Sequence, residues 1–292
     1  MYYVVYGVLY VLSLLPFRVI YIISDFFYAL IYYVIKYRRG VVDSNLAIAF
    51  PEKSVDERKK IAKQFYKNFT DNFIETIKLL SISKKELNKR FTGNFDVINN
   101  IYPTGKSLQI HLGHQFNWEL AYAAYAANLQ YPLLGVYMPL SNKIFDRLFL
   151  HLRTRFAAIL IPATSFRTKF LPYAKTQYAL GLIADQSPGG PDIAYWVNFF
   201  GRSTAFVKGA EKGAIFNNTA VVFCSFKKVK RGYYHAHNEV FTLEPKKLSQ
   251  GQITAGMAKF IEDAIREDPA NYLWSHRRWK LSFDEKYRKN VV

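Results

Sequence analysis

From about residue 105 the hydrophobic positions gather into short blocks that alternate with longer segments of helical spacing. The blocks Ser107–Ile110, Leu133–Tyr137, Ala158–Ile161, Ala179–Ala184 and Ala220–Phe226 read as strands. Trp118–Ala127, Ser141–Arg155 and Ala205–Phe216 read as the helices between them. Strand–helix alternation predicts an α/β fold with a central, mostly parallel sheet flanked by helices. Tyr233–Leu243 follows as an edge strand, and Ile253–Ile265 as a closing amphipathic helix that stops before Pro269. Upstream, Ser54-Val-Asp-Glu57 has the form in which serine and glutamate satisfy the first backbone donors of a helix. Behind it Ile61, Phe65, Phe69, Phe73, Ile77 and Leu80 recur at helical spacing with lysines between them, which predicts one long amphipathic helix. Pro51 and the polar stretch before it separate this helix from what precedes.

The first segment has a different pattern. Met1 to Phe17 carries no charge, Val19 to Ile35 carries only Asp25, and Lys36, Arg38 and Arg39 close the run. A membrane span needs roughly 20 apolar residues, and neither stretch is clean at that length. One tilted span, or a helical hairpin lying partly in the bilayer, fits residues 1–40 better than two spans. Tyrosines at 2, 3, 6, 10, 21, 28, 32, 33 and 37 suit an interfacial belt, and the closing cations belong on the cytoplasmic side. A greasy helix buried in the protein itself is the competing reading. Residues 41–292 then form the α/β body.

Charge changes the picture of partners. Forty Lys and Arg against 22 Asp and Glu give a formal net charge of +18. That surplus favours a polyanion, whether nucleic acid, anionic lipid headgroups or an acidic carrier protein, and the aromatic-rich N-terminus argues for membrane. The single cysteine, Cys224, excludes an internal disulfide and a cysteine-based zinc site. His235 and His237 share a strand face without a third ligand, so no metal site is expected. Neither a Walker loop nor a dinucleotide-type glycine loop occurs, which counts against a nucleotide-dependent enzyme.

Ligands of α/β sheets sit beyond the carboxyl ends of the strands, and several polar residues fall there. In His111-Leu-Gly-His-Gln-Phe-Asn-Trp-Glu119, His114 follows the first core strand and Glu119 enters the next helix. An imidazole whose second N–H is held by a carboxylate can serve as a general base, so His114 and Glu119 are the candidate catalytic dyad. Arg153 and Arg155 end the helix before the next strand, and Asp185-Gln186 follows Gly181-Leu-Ile-Ala184; these four are candidate substrate contacts. Plainer roles compete: a structural histidine, cations at a helix C-terminus, a turn cap. Asn198-Phe-Phe-Gly201 reads as leading into a helix, and Lys227-Lys-Val-Lys-Arg231 as a solvated hairpin turn. Leu273-Trp-Ser-His-Arg-Arg-Trp-Lys280 interleaves cations and aromatics, a pattern open to nucleic acid, headgroup or interfacial roles.

As an ordered set these segments resemble the late acyltransferases of lipid A biosynthesis, within the lysophospholipid acyltransferase superfamily. The resemblance rests on His114-x4-Glu119 enclosing Asn117-Trp118, Arg153, Asp185-Gln186, Phe199-Phe200-Gly201 and Trp274-Ser-His-Arg-Arg278. Leu15-Pro-Phe-Arg18, the tyrosine-rich segment and Asn45-Leu-Ala-Ile-Ala-Phe-Pro51 extend it over nearly the whole chain. It implies a glycerolipid-acyltransferase-like domain at the cytoplasmic face of a bacterial inner membrane. It further implies transfer of a fatty acyl chain to a hydroxyl of a lipid A precursor. His114 would be the base with Glu119 its partner, Arg153 would meet phosphate or developing negative charge, and Asp185 would support the site. The co-substrate would be acyl carrier protein or coenzyme A thioester, with no bound cofactor and no nucleic-acid partner. Gln115-Phe116 departs from the small, Gly-containing pair of many members and bears on the acceptor. Another lipid acceptor, a lysophospholipid or aminolipid, is the alternative within the class. A non-enzymatic basic module at the membrane is the alternative outside it.

Overall fold

A computed structural model describes residues 1–292. The chain opens with helix α1 (Tyr2–Leu14), turns at Leu15-Pro16, and continues in α2 (Phe17–Ala29), whose end runs on as a π-helical turn, Leu30–Ile35. Proline has no N–H to continue α1 and suits the start of the next helix. The stretch before Pro51, expected to be a polar separator, is instead a helix, α3 (Arg39–Ala49); it buries Val42, Asn45, Leu46 and Ala49. The long amphipathic helix is α4 (Val55–Lys78). Its capping box is complete: the Ser54 hydroxyl accepts from Glu57 N–H at 3.3 Å, and the Glu57 carboxylate accepts from Ser54 N–H at 2.8 Å. Ser54→Ala is expected to lower stability by about 1 kcal/mol in chemical denaturation, with an unchanged denaturant slope.

The remaining elements are α5 (Lys84–Arg90), β1 (Phe91–Gly93), α6 (Asp96–Asn99), β2 (Leu108–Leu112), α7 (Trp118–Asn128), β3 (Leu133–Tyr137), α8 (Lys143–Thr154), β4 (Ile159–Pro162), α9 (Phe166–Phe170) and β5 (Ala179–Ile183). After them come β6 (Ala194–Phe199), β7 (Arg202–Val207), α10 (Gly209–Asn217), β8 (Ala220–Lys230), β9 (Tyr233–Thr242) and α11 (Gln252–Glu267). Seven strands form one sheet in the order β1-β9-β8-β2-β5-β3-β4. Its pairs are parallel except β8 with β9, so the sheet is the mostly parallel one that the alternation predicts.

Side chains on β8 show how the core divides. Val221 and Phe223 point into one apolar cluster with α4 and α11, while Val222, Cys224 and Phe226 point into another with α5 and α7. Helices thus cover both faces, and period-2 alternation decides which face each residue meets.

Three expectations need correction. Tyr233–Leu243 is not an edge strand: β9 lies between β8 and the three-residue β1, which takes the edge. The segment after Asn198 is not the start of a helix, because Arg202–Val207 is a strand. It pairs antiparallel with β6 across the two-residue turn Phe200-Gly201, in which both residues have positive φ, 53° and 73°. That is the backbone of a two-residue hairpin turn. The Lys227–Arg231 reading holds only in part: Lys227 and Lys230 are exposed and the turn begins at Arg231, but β8 runs to Lys230 and Lys228 pairs with the buried Asp71 at 3.0 Å.

Candidate active site

The parallel sheet itself builds the centre. Leu112 at the end of β2 is in register with Ile183 at the end of β5, and Ala184 N–H donates to Leu112 C=O at 3.1 Å. Two residues past each register pair stand His114 and Asp185, side by side beyond the carboxyl ends of adjacent strands. Asp185 Oδ2 accepts from the His114 backbone N–H at 2.9 Å, and Oδ1 accepts from the ring Nδ1–H at 2.5 Å. Gly113 packs closely on α11 beside this pair: a Cβ there would stand 3.1 Å from the Ile261 side chain, which would have to give way, and 3.4 Å from Asp185 Oδ2.

The carboxylate that orients the imidazole is therefore Asp185, and no direct hydrogen bond joins His114 to Glu119. A helix entered just after the histidine carries Glu119 back under α8 rather than toward the ring. There it is buried and accepts a two-pronged ion pair from Arg153, Nε to Oε2 at 2.9 Å and Nη2 to Oε1 at 2.5 Å. The indole N–H of Trp118 adds a bond to Oε1 at 3.3 Å. Arg155 turns the other way and donates to the Leu79 carbonyl past the end of α4, outside the His114 cluster.

Burial alone would raise the Asp185 carboxyl. The facing His114 charge, its ring and backbone N–H bonds and the Tyr272 hydroxyl outweigh burial and hold it well below the ordinary aspartate range. Asp185 is thus ionised at neutral pH. A depressed folded-state value means that its stabilisation is complete above the ordinary aspartate range and disappears only as pH falls through the depressed value.

The other ring nitrogen, Nε2, accepts from the Gln186 side-chain amide at 3.0 Å. With Nδ1–H committed to Asp185, Nε2 carries the free lone pair. His111, the only other histidine on this strand end, is a poor alternative base. Its side chain points to the opposite face of β2 beside Phe223, and burial lowers its pKa to about 3.

Sequence reasoning passed over Tyr272 and gave no structural role to several other residues around this pair. Tyr272 sits in a short bridge with Gln115, and Leu273 N–H donates to His114 C=O at 3.0 Å, so the C-terminal loop clamps the histidine backbone. The Asn45 side-chain amide binds the carbonyls of Trp274 and His276, each at 2.7 Å, which ties α3 to that loop. Arg278 is fully buried against the Phe206 ring, 4.1 Å from its centroid, and donates to Ala205 C=O at 2.9 Å. Gln115 and Phe116, the departure noted above, face inward: the Gln115 carbonyl accepts from Phe226 N–H at 3.1 Å, and Phe116 is buried among Phe65, Phe69 and Trp118. They fill the core.

Asn117 caps α7 with its side-chain oxygen, and its amide donates to Glu75 at 3.0 Å. Glu75 lies wholly buried in α4 and also accepts from Tyr234 at 2.8 Å and Tyr21 at 2.9 Å. Burial raises its carboxyl pKa, and Lys228 with the Asn117 and Tyr234 bonds offsets only part of that. The legible signal was a row of polar residues at helical spacing, Gln64, Asn68, Asp71 and Glu75, on a helix whose other face is apolar. Glu75→Ala would leave three donors unpaired and is expected to cost about 3 kcal/mol in thermal or chemical unfolding.

The chain matches the family described as bacterial lipid A biosynthesis acyltransferase over residues 1–281. It is 22% identical over 277 residues to the lipid A biosynthesis palmitoleoyltransferase of Escherichia coli K12, across 94% of this chain and 89% of that protein. It is 25% identical over 283 residues to the lipid A biosynthesis lauroyltransferase of the same organism, with the same coverage of both. A lipid A biosynthesis acyltransferase of Shigella flexneri is 22% identical over 277 residues. A match spanning the sheet, the His114 centre and the C-terminal clamp leaves one reading of the chain: it belongs to the bacterial lipid A biosynthesis acyltransferase family and is an acyltransferase.

Proposed function

We propose that the protein moves a fatty acyl chain from an acyl thioester to a hydroxyl of a lipid A precursor, with His114 as general base. The observation that carries this is the orientation of His114, with Nδ1–H given to Asp185 and Nε2 left to receive a proton. A sugar or hydroxyacyl hydroxyl is far too weak an acid to ionise at neutral pH, so its proton must leave as its oxygen attacks the thioester carbonyl. Nε2 takes that proton, and the ionised Asp185 stabilises the imidazolium. Collapse of the tetrahedral intermediate breaks the C–S bond, and the same proton passes to the departing sulfur. Gln186 must yield its place on Nε2 to the hydroxyl and stays near enough to bind the acceptor.

Arg153 has Nε and Nη2 committed to Glu119, which leaves Nη1 for an acceptor phosphate or the developing oxyanion. Glu119 thus acts through Arg153 as its positioning residue. Acyl carrier protein is the donor that the +18 net charge favours, and an anionic lipid is the acceptor. Residues 1–40 attach the enzyme to the cytoplasmic face of the inner membrane, and residues 41–292 carry the chemistry. The apolar helix Phe17–Ile35, long enough to cross a bilayer, supports the attachment.

The test is to supply purified protein with acyl carrier protein loaded with labelled fatty acid, and with lipid A precursor, lysophospholipid or aminolipid acceptors in parallel. Label in the lipid A precursor is the expected result. Transfer only to another lipid would overturn the acceptor, and no transfer to any would overturn the reading. Full-length protein is also expected to stay with membranes through a high-salt wash, since apolar contact is insensitive to screening. Release by salt alone would make the attachment electrostatic.

A further inference from the structure

We propose that α2 does not cross the bilayer but lies in the plane of the cytoplasmic leaflet, one face in the acyl chains and the other on the catalytic domain. This rests on the membrane attachment proposed above and settles its geometry. By length and hydropathy α2 and its π-helical extension could span; what it touches argues otherwise.

The helix runs antiparallel to α4, and polar or charged groups of α4, α5, α3 and the β8–β9 hairpin meet it at successive levels, beside the aromatic packing of Tyr32 on Tyr66. At its start the Arg90 guanidinium lies 3.3 Å from the Phe17 ring centroid, with Lys78 4.9 Å from the same ring. One turn on, Tyr21 donates to the buried Glu75 at 2.9 Å. Ser24 then donates to Asp71 at 2.8 Å, and Asp25 pairs with Arg231 at 2.7 Å. Further along, Lys67 and Arg39 stand over the rings of Tyr28 and Tyr32, at 5.5 and 4.1 Å. From Phe17 to Tyr32 this covers roughly 24 Å of helix, most of a hydrocarbon core about 30 Å thick.

A spanning α2 would therefore carry a charged layer through every depth of the membrane. It would also carry a turn. The tip of the β8–β9 hairpin packs on the middle of the helix so closely that a Cβ at Gly232 would meet the Tyr21 hydroxyl at 2.0 Å. An open cleft of about 660 Å³, lined by Asp25, Lys67, Asp71, Lys228 and Arg231 among others, lies beside it. Irregular backbone and solvated charge at mid-membrane lack the partners that hydrocarbon cannot supply.

The opposite face has the reverse character. Ile20, Ser24 and Tyr28 form the buried stripe, whereas Val19, Ile22 and Phe26 form an exposed one. On α1 the exposed stripe is Val4, Val8 and Val11, apolar as well. Tyrosines and the cations Arg18, Lys36 and Arg38 flank these helices, as interfacial helices require. An apolar face along one side and a charged domain along the other is the arrangement of a helix floating in one leaflet.

Sidedness tests this on the full-length protein. Cys224 is fully buried and gives a silent background, so Arg18→Cys and Lys36→Cys mark the two ends of the helix. Sealed inside-out and right-side-out membrane vesicles are treated with an impermeant maleimide. We expect both thiols to label in inside-out vesicles and neither in right-side-out vesicles before detergent. Labelling of the two ends from opposite sides would overturn the proposal. In parallel, wild type and the Ile22→Ser/Phe26→Ser double variant are floated with phosphatidylethanolamine–phosphatidylglycerol liposomes. The bound fraction is expected to fall on the order of ten-fold. Unchanged flotation of that variant would overturn the assigned face. Failure of the wild type to float would instead overturn the membrane attachment itself.

Discussion

Asp185→Asn is expected to lower acyl transfer on the order of 1000- to 10,000-fold while the protein still folds. The side-chain amide of Asn can turn an N–H toward Nδ1, which forces the imidazole to place its proton on Nε2. The base then faces the hydroxyl with a donor where it needs a lone pair. His114→Ala removes the base altogether, and a general base contributes on the order of 100- to 10,000-fold to rate. The double variant should be little worse than the poorer single one, because the two residues act as a unit. The measurement is the initial rate for each purified variant over a range of acceptor concentrations, with thermal unfolding recorded beside it. Near-wild-type turnover by folded Asp185→Asn protein would remove Asp185 from the centre. Near-wild-type turnover by folded His114→Ala protein would remove the general base.

Glu119→Ala and Arg153→Ala are expected to fail in the same way as each other and differently from His114→Ala. Each disrupts a single partly buried ion pair, and each leaves the His114–Asp185 contact in place. If Arg153 meets an acceptor phosphate, losing that charge-assisted contact should raise the acceptor KM about 10- to 100-fold with a smaller change in kcat. Glu119→Ala should reproduce most of that effect, since an unheld guanidinium loses its orientation. It should destabilise the fold by less than Arg153→Ala does, because the guanidinium it strands keeps 25% of its side chain exposed, whereas Arg153→Ala strands a carboxylate only 5% exposed. A Glu119→Ala enzyme with wild-type KM and a kcat as low as that of His114→Ala would restore Glu119 as the partner of the imidazole.

The contrast between these pairs shows what the linear chain could disclose. The strands were legible because buried parallel strands are short, nearly continuous apolar runs, and β3 begins and ends where its pattern does. His114 was legible for the same reason: it stands where such a run stops. Its partner was not, because spacing along the chain favoured Glu119 while the pairing that matters is a register between two strands 71 residues apart. The Ala205–Phe216 misreading has a local cause. Small and apolar residues around Gly209 fit a helix or a strand equally, and the Phe200-Gly201 turn that settles the choice was not read as one. Lys228 and Arg231 looked like surface charge because their partners, Asp71 and Asp25, lie more than 150 residues upstream.

That separation reaches into biosynthesis. Asp25 and Asp71 leave the ribosome early, yet Arg231, which neutralises both, follows Asp25 by 206 residues. At a synthesis rate of roughly 5–20 residues per second, the interval is about 10–40 s. During it the apolar stripes of α1 and α2 are complete while the hairpin that clasps them does not yet exist. On the attachment proposed above, the nascent α1 and α2 are free to meet lipid before the hairpin exists, and it closes afterwards onto α2.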